Sequence, residues 1–196
     1  MGRTAEIYRK TKETDITLKL DLDGHGQSRI ATPVPFMDHM LTLFAAHGFM
    51  DLQLTADGDT QIDDHHTVED MGICLGLAVR QALQDKLGIR RYGTASVPMD
   101  ETLVRVVLDI SGRPFLAYRV TFPDAFSGRF DFGLLEEFFR AVVLHAGVTL
   151  HIDLLAGKNA HHIAEAIFKA FGQAMDRATM IDPRREGAVP STKGAI

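Results

Sequence analysis

Two stretches of this chain, Asp64-His65-His66-Thr67-Val68-Glu69-Asp70 and Ala160-His161-His162-Ile163-Ala164-Glu165-Ala166, are near copies set 96 residues apart. This pair constrains the fold more than any other feature. A motif that recurs at such a distance in a chain of 196 residues implies that the material around it recurs as well. On a helix, His65 and Glu69 stand four positions apart on one face, as do His161 and Glu165. His66 and His162 are turned by about 100° onto the adjoining face. A helix start carrying two imidazoles and a carboxylate has no structural need of them. Two such starts in one chain point to a metal centre with more than one ion.

The hydrophobic pattern divides the same way. Ile16, Leu18, Leu20 and Leu22 alternate with polar residues, which predicts a half-buried strand ended by Gly24-His25-Gly26. Phe36 to Ala46 has helical spacing with Gly48 as its stop, Met50, Leu52 and Leu54 alternate again, and Ala56 to Asp59 reads as a loop. A long helix is expected from His65 to Leu87, ended by Gly88. The second half repeats the plan. Strands run through Val104–Ile110 and Leu116–Phe122 with Ser111-Gly112-Arg113-Pro114 between them. A helix follows over Leu134–His145, then a strand over Val148–Ile152, a loop at Ala156-Gly157-Lys158-Asn159, and a helix from His161 to about Thr179. The expectation is an α+β fold of two fused β-β-β-α-β-α halves, residues 1–91 and 92–181, related by a pseudo-two-fold axis with sheets packed against helices. The basic, Gly- and Pro-rich tail, residues 182–196, is expected to lack regular structure.

Composition narrows the function classes. A net charge of −5 gives no overall attraction to nucleic acid or anionic membrane, and no run approaches the length of a membrane span. The one cysteine, Cys74, sits among Ile73, Leu75, Leu77 and Ala78, where a buried structural thiol is expected. With no disulfide framework possible within the chain and no apolar core at the amino terminus, a cytoplasmic protein, or a mature organellar form, is expected.

His39 opens the first helix and His151 lies in a strand aligned with Leu52-Gln53-Leu54. Adding these to the two repeated clusters gives six imidazoles and two carboxylates: His39, His65, His66, Glu69, His151, His161, His162 and Glu165. Nitrogen and oxygen donors without thiolate suit Mn, Fe, Co, Ni or Zn. Two sets of three His and one Glu would leave positions open for substrate or water, as catalytic metals require. Arg91, Arg113, Lys169 and Lys193 offer cations for a phosphate, and Ser191 a hydroxyl donor.

Pro35-Phe36-Met37-Asp38-His39-Met40-Leu41, Ile62 to Asp70, Ser111-Gly112-Arg113-Pro114, Gly157 to His162, Asp182-Pro183-Arg184-Arg185 and Pro190-Ser191-Thr192-Lys193-Gly194 together resemble the imidazoleglycerol-phosphate dehydratase family, from about Glu6 to the last residue. The resemblance implies loss of water from D-erythro-imidazoleglycerol phosphate, giving imidazole acetol phosphate in histidine biosynthesis. It implies two Mn²⁺ per subunit that hold the ring as an imidazolate, an intermediate like a diazafulvene, and a homo-oligomer of about 24 chains built from trimers. It places the metal ligands on the eight residues named above. It assigns catalysis to Glu13, Glu69 and Glu165, with Glu13 moving the carbon-bound proton. Substrate contacts fall on Glu13, His47, Arg91, Arg113, Lys169, Ser191 and Lys193, the last two in a tail that covers the site. Glu137 stands where many relatives have His, and Leu43 where some have Gln; neither is among the eight ligands. His25 and His145 have no assigned role, and Asp21-Leu22-Asp23-Gly24 is read as a strand end and turn. The rival readings are a dinuclear metallohydrolase, which would favour more carboxylates than histidines, and a non-catalytic metal-binding assembly, which would not need the phosphate cations.

Overall fold

The computed structural model describes residues 2–194 and Ile196. The first half runs β1 (Thr4–Lys10), β2 (Thr14–Asp21), β3 (Ser28–Ala31), α1 (Pro35–Gly48), β4 (Asp51–Gly58) and α2 (His65–Leu83). The second runs β5 (Tyr92–Met99), β6 (Thr102–Asp109), β7 (Phe115–Arg119), the short hairpin β8 (Phe126–Ser127) and β9 (Phe130–Asp131), α3 (Leu134–Ala146), β10 (Thr149–Ala156) and α4 (Ala160–Thr179). Apart from the hairpin, both halves are β-β-β-α-β-α. Their sheets have one topology: β1-β2-β4-β3 and β5-β6-β10-β7, antiparallel except for the last pair in each.

Each half builds these elements from the same local instructions. Buried Ile16, Leu18 and Leu20 alternate along β2, as Val104, Val106 and Leu108 do along β6. Those faces lie beneath the helices, and α1 packs on α4 while α2 packs on α3. The layers are therefore sheet, helices, helices, sheet around one continuous core. Its centre is aromatic: Phe44 stacks on Phe171 at 5.0 Å, and Phe139 lies 5.2 Å from Phe168 and 5.3 Å from Phe171. Glycines permit this close approach. A Cβ on Gly76 would stand 2.6 Å from the carbonyl oxygen of Val142, and one on Gly172 2.5 Å from that of Phe44. These two contacts are pseudo-symmetric equivalents. α1 and α3 also end alike, on a left-handed residue, Phe49 or Gly147, whose N–H returns to Ala45 or Val143.

Some boundaries depart from the sequence reading. The long helix stops at Leu83, because Gln84 and Lys86 take positive φ well before Gly88. Strands β4 and β10 reach Gly58 and Ala156, so the expected loops are shorter than their polar residues imply. β7 ends at Arg119 rather than continuing to Phe122. The tail contains a 3-10 turn at Pro183–Arg185, capped by the Asp182 side chain. No helix among the described residues is long and apolar enough to cross a membrane.

Candidate metal centre

The start of α4 is prepared by Asn159, whose side chain accepts hydrogen bonds from the N–H groups of His161 (2.9 Å) and His162 (3.3 Å). That cap aims His161 and Glu165, one turn apart, at the first turn of α1, which packs alongside. There His39 Nε2 lies 3.0 Å and His161 Nε2 3.1 Å from Glu165 Oε1. One donor atom from each of His39, His161 and Glu165 falls within 4.8 Å of the others, the only such convergence among the described residues. Both imidazoles are 44% exposed, so the cluster opens to solvent on one side. Behind it Lys169 donates to Glu165 Oε2 at 2.6 Å. Burial alone would raise the Glu165 carboxyl, but the hydrogen bonds from Lys169, His39 and His161 prevail and hold it at about 2. The His47 imidazole, in the last turn of α1, is held below its ordinary pKa by burial and then by the charge of Lys169.

The remaining histidines do not join this cluster. His65 Nε2 is 3.9 Å from Glu69 Oε2 at the exposed start of α2. His66 and His162 each turn Nδ1 to a carboxylate, Asp59 Oδ2 at 3.0 Å and Glu101 Oε2 at 2.9 Å. His151 sits between Leu150 and Ile152, which are fully buried under the helices, so the alternation of the strand sends its ring to the opposite sheet face. There it meets Phe115 and Arg119.

The cationic residues separate into two places. Arg91, Arg113, Ser191 and Lys193 line one cavity of about 380 Å³. Lys169 is not among them, because it is committed to Glu165. Arg91 is fixed by a two-pronged ion pair with Asp109 (2.7 and 3.2 Å), which raises its pKa further, and by the carbonyl of Pro190 at 3.0 Å. Its N–H is bonded to Ala178, near the far end of α4 from His161. Those 17 residues span about 25 Å at 1.5 Å per residue. Glu13 lies in the exposed turn between β1 and β2, its backbone joined to Asp59 and to the Thr11 hydroxyl.

The imidazoleglycerol-phosphate dehydratase family model matches residues 32–175, which hold the whole cluster and both His-His-x-x-Glu motifs. The chain belongs to that family. It is accordingly a carbon–oxygen lyase of the hydro-lyase type. It is 61% identical to the imidazoleglycerol-phosphate dehydratase of Pelobacter propionicus and 58% identical to that of Geobacter metallireducens, over the full length of all three chains. Two solved structures named for the same enzyme share the fold. That from Staphylococcus aureus is 44% identical with a TM-score of 0.83, covering 91% of this chain and 99% of its own. That from Pyrococcus furiosus, in complex with (S)-C348, is 40% identical with a TM-score of 0.84, covering 97% and 100%.

The sequence pattern does not single out the carboxylates of Asp59 and Glu101 beside His66 and His162. Asp59 stands 7 residues from His66 and Glu101 61 from His162, and Glu101 lies in a β-hairpin turn as Glu13 does. Glu137 reads in the sequence as a departure without consequence for metal. The shared helix ends put it in α3 where His39 stands in α1, beside the helix that carries His65 and Glu69.

Proposed function

We propose that this chain dehydrates D-erythro-imidazoleglycerol phosphate to imidazole acetol phosphate in histidine biosynthesis, using two Mn²⁺ ions per subunit. The observation that carries the reading is the convergence of His39, His161 and Glu165 from two helices and both halves of the chain. Imidazole and carboxylate donors without thiolate fit a divalent ion of the manganese-to-zinc series. When bound, the ions supply Lewis acidity that favours the imidazolate form of the substrate ring. The second ion would take its ligands from His65, His66, Glu69 and His162, and we add Glu137 in place of His151. Glu13, whose carboxylate is exposed, serves as the base for the carbon-bound proton, while Lys169 holds Glu165 in its ionised form. Arg91, Arg113, Ser191 and Lys193 bind the phosphate, with residues 182–196 closing over it and residues 1–91 and 92–181 as the two halves of the scaffold.

The 25 Å or so between His161 and the Arg91 cavity exceeds the reach of one small phosphorylated imidazole. This distance favours a site completed by more than one subunit, in the homo-oligomer of about 24 chains built from trimers that the family resemblance implies, placed in the cytoplasm. Protein stripped of metal and reloaded with Mn²⁺ is expected to form imidazole acetol phosphate, to contain two ions per chain, and to sediment as a large particle. Full turnover after thorough chelation, or no turnover by the loaded oligomer, overturns the proposal.

A further inference from the structure

His66 and His162 are the second histidines of the two His-His-x-x-Glu motifs, and both make the same contact by different means. Asp59 Oδ2 lies 3.0 Å from Nδ1 of His66, and Glu101 Oε2 lies 2.9 Å from Nδ1 of His162. An ionised carboxylate only accepts hydrogen bonds, so each Nδ1 must carry a proton, and in the neutral ring that a metal binds each Nε2 then keeps its lone pair. Glu101 is committed beyond this contact, and Asp59 is held in a partly buried position. Glu101 Oε1 also accepts from the N–H groups of Lys158 (3.1 Å) and Asn159 (2.9 Å), and from the Thr102 hydroxyl at 3.1 Å, tying the β5–β6 turn to the lead-in of α4. Asp59 lies in the lead-in to α2, its Oδ1 buried with no hydrogen-bond partner. A casual surface ion pair has no reason to accept that arrangement.

The sheet registers show what differs between the halves. Thr14 begins β2 as Thr102 begins β6, and both are buried. The residues preceding them are Glu13 and Glu101, which are therefore equivalent. In the second half the hairpin glutamate holds the motif histidine. In the first half Asp59 does so, and Glu13 makes no side-chain hydrogen bond among the described contacts. We infer that Asp59 and Glu101 are positioning residues that fix the metal-binding tautomer of His66 and His162, and that the transfer of this task to Asp59 frees Glu13 to act on substrate. The inference rests on the metal-dependent reading above.

Glu101→Gln is the decisive variant. Its carbonyl oxygen retains the two amides and the threonine, so the fold is kept, while its –NH₂ group now donates to Nδ1 of His162 and forces the proton onto Nε2. Mn²⁺ titration of the full oligomer, following free Mn²⁺ by electron paramagnetic resonance, is expected to show one ion bound 10- to 100-fold more weakly at an unchanged melting temperature. Asp59→Ala should weaken the binding of one ion similarly. Glu13→Gln should bind both ions as wild type does while losing turnover. Wild-type Mn²⁺ affinity in both Glu101→Gln and Asp59→Ala overturns the positioning role, and weakened Mn²⁺ binding by Glu13→Gln overturns the division of labour. A wild-type oligomer that binds two Mn²⁺ but leaves imidazoleglycerol phosphate unchanged counts against the proposed reaction alone. One that binds no Mn²⁺ removes both.

Discussion

Gly76 of α2 lies against the Val142 carbonyl of α3, and Gly172 of α4 lies against the Phe44 carbonyl of α1. Laid over one another on these contacts, the halves agree where helix backbones meet and in the two His-His-x-x-Glu motifs, and differ at several of the side chains around those motifs. His39 answers to Glu137, Lys169 to Ile73, and Gln53 to His151. The glycine contacts set the distance between helices, so a duplicated unit keeps them. The helix starts and hairpin turns lie at the rim of that packing, where a substitution costs little stability. The two metal motifs are thus held by equivalent frames in unequal surroundings, and the one beside Lys169 is the more nearly complete within a single chain.

The largest effects test the shared frame. Gly76→Val and Gly172→Val each drive a side chain into a carbonyl of the facing helix, and overpacking of this kind against backbone should cost more than about 4 kcal/mol. Neither variant is expected to yield soluble folded protein. Normal circular dichroism from one of them, with loss of folding in the other, would break the equivalence of the two helix pairs.

Next in size is the contrast between the motif glutamates. Glu165 is 12% exposed and bonded to a lysine that is 15% exposed, whereas Glu69 is 46% exposed. Removing Glu165 strands a buried ammonium, so Glu165→Ala should lower the stability of the metal-free protein by about 3 kcal/mol. Glu69→Ala should change it by less than about 0.5 kcal/mol. Urea unfolding monitored by circular dichroism measures both. Equal losses would show that Lys169 does not distinguish the two motifs.

The pairing of His39 with Glu137 gives a smaller, sharper test. Glu137 is held by Arg140 at 3.4 Å in the absence of metal, an exposed contact that is easily given up. Glu137→Ala should weaken one of two ions by about tenfold to a hundredfold, as loss of a donor does, and Glu137→His should restore it. Calorimetric titration with Mn²⁺ decides the matter, and unchanged binding by Glu137→Ala would return the residue to the surface.

These comparisons also mark what could be read from the chain alone. The two motifs, the alternating strands β2, β4, β6 and β10 and all four helices are legible, because burial on one face writes a period into the sequence. β1 and β5 are edge strands, and Tyr8 and Tyr92 face solvent, so their pattern is diluted. β3 has four residues and no fully buried side chain, and β8 and β9 have two each, too few to show a period. At the candidate site, residue type pointed to His39, His161 and Glu165, which the fold brings together, but not to the carboxylates beside His66 and His162. Asp59 and Glu101 reach their histidines where a turn meets a helix start, and the position of Glu137 opposite His39 follows from helix register. Both are tertiary facts. His151 is the opposite case: its residue type suits a metal, and the strand parity that sets it on the outer sheet face shows only in the burial of its neighbours.

The smallest difference lies on the outer sheet faces. Asp153 of β10 is clasped by Arg119 at 2.5 Å and by Arg105 at 3.0 and 3.2 Å. Its counterpart in β4 is Thr55, which faces Thr17. Burial alone would raise the Asp153 carboxyl, but the two guanidinium groups outweigh it and hold the group below its ordinary 3.8. A carboxylate whose pKa is lower in the folded chain than in the unfolded one stabilises the fold above that ordinary value. The contribution fades as the pH falls below 3.8 toward the depressed folded value. With both arginines about half exposed, the contribution should be about 1 kcal/mol at neutral pH. Asp153→Asn is therefore expected to lower stability by that amount at pH 7 and by progressively less in acid, the two unfolding curves converging below the ordinary carboxylate range. Thr55→Ser in the first half, which has no such charge to lose, should show an offset from wild type that does not vary with pH. A constant offset for Asp153→Asn as well would mean that its arginines pack against it without holding its charge, and the two sheet faces would then differ in composition alone.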